Sequence, residues 1–137
     1  MEGLGVAASV IAAVQLTELT LKLAHKHMAL GPSRFDNSEL QSISRVLYAF
    51  NGMLQTLQTH LRINEEDEAR LQTLNHLTEP LNQCKEALEL LSDRLENLTF
   101  IRKHIVGERF DRKLKKALLV IEHARKLIEL ALLSDQQ

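Results

Sequence analysis

Residues 4–16 read LGVAASVIAAVQL, and apart from Gly5, Ser9 and Gln15 every position is apolar. A helix through this stretch is apolar on nearly all sides, and such a helix is either buried inside a protein or taken up by a lipid bilayer. Thirteen residues fall short of the roughly 20 that a permanent span requires. Glu2 follows Met1, and the first cation is Lys22. A secretory signal begins with a positive region, so the segment is expected to stay in the mature fold.

From this stretch the first helix is expected to continue to about residue 29. Its second half turns amphipathic, with Glu18, Lys22 and Lys26 four apart on one face. Glu18 precedes Lys22, the favourable order for such a pair. Leu21, Ala24 and Met28 extend the buried side, and Gly31-Pro32 stops the helix. Residues 33–37 form a polar connector around Phe35. Ser38 with Gln41 then has the spacing of a capping box, with a start nearer Ser33 as the alternative.

The second helix carries Leu40, Ile43, Leu47, Phe50, Leu54, Leu57 and Leu61, whose spacings alternate three and four. That is a seam for packing helix on helix, and it runs straight through Asn51-Gly52. A glycine in a helix interior costs about 1 kcal/mol. Asn64, followed by the carboxylates of residues 65–68, has the makings of an N-cap and an acidic first turn. The next seam is Leu74, Leu77, Leu81, Cys84, Leu88, Leu91, Leu95 and Leu98, and it keeps register across Pro80. An interior proline costs about 3 kcal/mol, so a break before Pro80 is expected, with a single kinked helix as the alternative. Gly107 marks another break. A last helix over about 108–133 buries Leu114, Ala117, Ile121, Ala124, Ile128 and Ala131.

The predicted fold is therefore all-α: an antiparallel four-helix bundle, or five helices if the third breaks at Pro80, with an apolar N-terminal helix. The 137 residues form one domain, and the helical character of the end leads us to expect a module of a longer protein. Two prolines and an aromatic content of 4% leave little material for strands. A net charge of −1 argues against nucleic acid as a partner. The lone Cys84 precludes an internal disulfide and, at a seam position, reads as a buried thiol.

No glycine pattern matches a nucleotide-binding loop, and no CxxC or HExxH motif supplies a metal site. His25 and His27, two apart, point to different faces. We expect no enzymatic activity, no cofactor and no metal. Charge is uneven: residues 62–100 hold four basic and nine acidic side chains, and residues 101–137 hold nine basic and five acidic. The basic cluster comprises Arg102, Lys103, Arg109, Arg112, Lys113, Lys115 and Lys116. Such a cluster suits contact with anionic lipid; the alternative is a solvated face paired with the acidic residues 65–68.

The opening MEGLGVAASVIAAVQLTELTLKL closely resembles the N-terminal signature of the HeLo-like family of filamentous fungi. PLNQCKEALELLSDRLE (80–96) and IEHARKLIELAL (121–132) resemble that family too. In the family this domain precedes nucleotide-binding STAND receptors. It is related to the HeLo domain of HET-s-type proteins and, in role, to the four-helix executioner domain of necroptosis pseudokinases. The resemblance implies a cell-death effector of fungal heterokaryon incompatibility and innate immunity. Such a domain is cytoplasmic at rest and moves to the plasma membrane on activation. It also implies self-association, a receptor or amyloid-signalling partner domain, and membrane lipid as a conditional partner. Carried over to this chain, the inserting positions are Leu4, Val6, Val10, Ile11, Val14 and Leu16. The competing expectation is a helical adaptor whose first helix is simply the buried centre of the bundle.

Overall fold

The computed structural model describes residues 2–29, 37–96 and 108–135. Its elements are α1 (Glu2–Ala29), α2 (Asn37–Ile63), α3 (Glu68–Leu74), a 3₁₀ turn (Asn75–Leu77), α4 (Thr78–Glu96) and α5 (Glu108–Asp135). This is an all-α bundle of four long helices with the apolar helix first.

The seams are the core. All seven seam residues of α2, from Leu40 to Leu61, are buried, as are Leu74, Leu77, Leu81, Cys84, Leu88, Leu91 and Leu95. Leu98, Phe35, Gly31-Pro32, Ser33 and Gly107 lie outside the described residues, and so does the side chain of Met28. On α5 the buried line runs Leu114, Ala117, Ile121, Ala124, Ile128 and then Leu132, with Ala131 half-buried. The line steps by four at its end because a straight helix drifts away from a strict seven-residue repeat.

Asn51-Gly52 lies inside α2 without interrupting it. Gly52 is exposed, and a methyl group added there meets nothing within 4 Å. Gly52→Ala is therefore expected to stabilise the domain by about 1 kcal/mol. Urea unfolding should show a higher midpoint at an unchanged slope.

Three boundaries differ in detail from the sequence reading. Ser38 falls inside α2, which already includes Asn37, so it is not the cap. Asn64 ends α2 rather than opening α3, because its backbone N–H still donates to the His60 carbonyl at 3.1 Å. Its Nδ2 donates to the same oxygen at 2.9 Å. Asp67 caps α3 instead, its carboxylate accepting from the Arg70 backbone N–H at 3.2 Å. The break expected before Pro80 falls at the 3₁₀ turn. Pro80 then sits in the first turn of α4, where a missing N–H forfeits no intrahelical bond.

Along the chain α1, α2 and α4 alternate in direction. Ala7 and Ile11 lie beside Leu61 and Arg62, while His25 stacks against Tyr48, so α2 runs opposite to α1. Ser9 meets Asn82 at 3.4 Å, and Ala24 packs with Leu95, so α4 lies alongside α1 in the same direction. α1 packs on α2 and α4, and α5 packs on the same two from the other side. Neighbours are therefore not uniformly antiparallel. The cause is α3 with its 3₁₀ turn: both pack on α1 and carry the chain across one end of the bundle, rather than folding it back as a hairpin. α1 thus occupies a corner of the bundle, not its centre.

Candidate functional site

A corner position splits α1 into two sides. The inner side is Val6, Val10, Ala13, Thr17, Thr20, Leu21 and Ala24, all buried. The outer side is Ala8, Ile11, Gln15, Glu18, Leu19 and Lys22, all exposed. A soluble-protein helix normally carries polar residues outward; the second half of α1 does so with Glu18, Lys22, His25 and Lys26, but the N-terminal half offers Ala8 and Ile11 to water. Within Gly5–His27 an 18-residue window reaches a mean hydropathy of 1.5, with 39% of it buried, and by length and composition the stretch is long enough to cross a membrane. The span reaches beyond the 13-residue run through Leu19, Leu21 and Leu23, and takes in Glu18 and Lys22 with them.

The positions singled out for insertion separate accordingly. Val6 and Val10 are wholly buried, Val14 and Leu16 are half-buried against the core, and Ile11 is 48% exposed. Leu4 belongs to α1, but its side chain lies outside those described. Leu19 is 44% exposed but lies about 80° round the helix from Ile11, whose own side continues through Gln15, Glu18 and Lys22.

Two features bear on the release of α1, which is otherwise the most extensively packed of the helices. Its inner side chains, Leu21 apart, are small: among the described residues, every fully buried side chain of the largest class, Phe50 and ten leucines, comes from other helices. Its buried hydroxyls are bonded within α1 itself. Thr17 donates to the Ala13 carbonyl at 2.6 Å, and Thr20 to the Leu16 carbonyl at 2.7 Å. A helix that carries its own acceptors leaves no hydroxyl stranded when it moves into lipid. Its polar links outward include Ser9 to Asn82 and Tyr48 Oη to His25 Nε2 at 3.2 Å, both exposed. On α2, by contrast, Ser44 Oγ and Asn51 Oδ1 are buried without a hydrogen-bond partner.

Beside Ile11, α1, α2 and α3 enclose a hollow of about 350 Å³. Val10, Leu61 and Leu71 form its apolar wall, and Arg62 and Glu65 stand at its edge. The basic cluster lies on a different helix. Arg112, Lys113, Lys115 and Lys116 are exposed on the first half of α5. Arg102 and Lys103 lie outside the described residues, as does the side chain of Arg109. The acidic turn has partners of its own: Asp67 pairs with Arg70 at 3.5 Å. His25 is exposed and His27 buried, on separate faces as their spacing requires.

Cys84 is wholly buried, and burial pushes its thiol up from 9.0 to about 12. Its Sγ lies 3.8 Å from the Val120 carbonyl, joining α4 to α5. The unfolded chain ionises this thiol near pH 9 while the folded one keeps its proton. Stability is therefore expected to be unaffected by Cys84 below pH 9 and to fall between pH 9 and 12, by up to about 1.4 kcal/mol per pH unit. Comparing urea midpoints of the native chain and Cys84→Ala across that range isolates the effect. No family model, curated protein or solved structure matches the chain.

Proposed function

We propose that this chain is a non-enzymatic effector domain of the HeLo-like kind, held in the cytoplasm with α1 packed and turned on the plasma membrane by oligomerisation. The observation that carries this is the double character of the first half of α1: Val6, Val10 and Ala13 face the core while Ala8 and Ile11 face water, and the hydroxyls buried further along are satisfied internally. A switch needs two packings separated by a few kcal/mol. Small inner side chains lower the cost of withdrawing α1 from the bundle, since hydrophobic stabilisation scales with the apolar area buried. Gathering several copies supplies several helices at one place, and lipid then replaces the core as their apolar surroundings. Lys22 and Lys26, near the end of α1, would remain at the headgroups because a charge at mid-bilayer is costly. Arg112, Lys113, Lys115 and Lys116 would draw the domain toward anionic lipid, at about 1 kcal/mol per cation near the surface.

The test is dye release from anionic vesicles by the purified domain, alone and fused to an inducible oligomerisation module. Release is expected only after oligomerisation. Intact vesicles under both conditions would remove the membrane role and leave the adaptor. The adaptor reading has its own support in Leu119, Leu130 and Leu133, exposed on α5 and suited to a protein partner.

A further inference from the structure

We propose that copies of this chain associate head to tail, Leu119 on α5 of one copy seating in the hollow beside Ile11 of the next. The two surfaces match in apolar character and complement each other in charge. Leu119 is 69% exposed, an apolar knob. Lys115 and Lys116 precede it by one helical turn and Lys126 follows by two, all exposed. Arg125, on the same helix, is engaged by Glu122 at 3.1 Å and Glu129 at 3.7 Å. The hollow is the reverse: an apolar wall with Glu65 at its edge and Glu66 and Glu68 exposed in the adjoining turn. Among the described residues, Arg62 is the one cation lining it. The acidic middle and basic end of the sequence therefore fall on two surfaces that a second copy brings together. Opposite fields across an interface set orientation and speed encounter.

Because knob and hollow are different patches of one molecule, the contact is heterologous and generates rings or open chains rather than closed pairs. It would serve an adaptor equally. α1 forms one wall of the hollow, so this association favours the packed state of α1 by mass action and is distinct from the oligomerisation that releases it.

Sedimentation velocity over a concentration series up to millimolar tests the proposal. The native chain is expected to associate progressively, and Leu119→Asp to weaken association at least tenfold with an unchanged melting curve. Glu65→Lys/Glu66→Lys and Lys115→Glu/Lys116→Glu should each be monomeric alone and should associate when mixed, because each then offers the charge that the other lacks. A native chain that stays monomeric throughout, or a mixture that fails to associate, overturns the proposal. So does a Leu119→Asp chain that associates like the native one but binds phosphatidylserine vesicles less well, which would give this face to lipid.

Discussion

Ile11→Asp is expected to leave the domain folded and to abolish vesicle leakage, whereas Val10→Asp should unfold it. The two residues are adjacent and both apolar, but Ile11 is half in water and Val10 has no exposure at all. A carboxylate at position 11 projects into solvent and is hydrated. At position 10 it is buried without a partner, which costs several kcal/mol, a large part of a domain's stability. In the inserted state the distinction vanishes, since lipid surrounds both positions. An aspartate in a membrane helix costs up to about 3 kcal/mol, on the order of a hundredfold in insertion for each helix. Circular dichroism checks the fold and dye release checks the function. Native-like leakage by a folded Ile11→Asp domain would rule out insertion of α1.

Tying α1 to α4 should silence the domain without altering its resting structure. Ser9 Oγ and Asn82 Oδ1 stand 3.4 Å apart on the surface, so Ser9→Cys/Asn82→Cys places two thiols where a short bifunctional thiol reagent can bridge them. Cys84 does not compete, because it is buried and its thiol is pushed up to about 12. The thiolate is the reacting form. The unbridged double variant is expected to leak dye on oligomerisation like the native chain, and the bridged form to lose at least nine-tenths of that leakage. Either single-cysteine variant treated with the same reagent is the control. Undiminished leakage from the bridged protein would mean that α1 acts from its packed position. Leakage and association are separate readouts, so head-to-tail docking stands or falls by sedimentation alone.

The helices and their buried faces were legible in the residues. Leu40 through Leu61 and Leu74 through Leu95 bury as their three-four spacing requires, because side chains at that period can only line one face. The break before Pro80 was likewise fixed by local chemistry, since a proline is accommodated at a helix start and resisted in its interior. Cap choice was less legible. Asn64 and Asp67 are both capping residues, and the hydrogen bonds that Asn64 makes back to His60 decide between them.

Sequence alone determined that residues 4–16 form a helix too apolar for one solvated face, and that the other long helices carry a continuous apolar seam. Only the tertiary structure decided which side of that helix meets water. A helix with polar residues along one face announces its orientation, but LGVAASVIAAVQL offers almost none, so its own residues specify no inside. The path of α3 across the end of the bundle sets α1 at a corner, beside α2 and α4. That placement buries Val6 and Val10 and leaves Ile11 and Leu19 exposed, on a helix otherwise apolar enough for lipid.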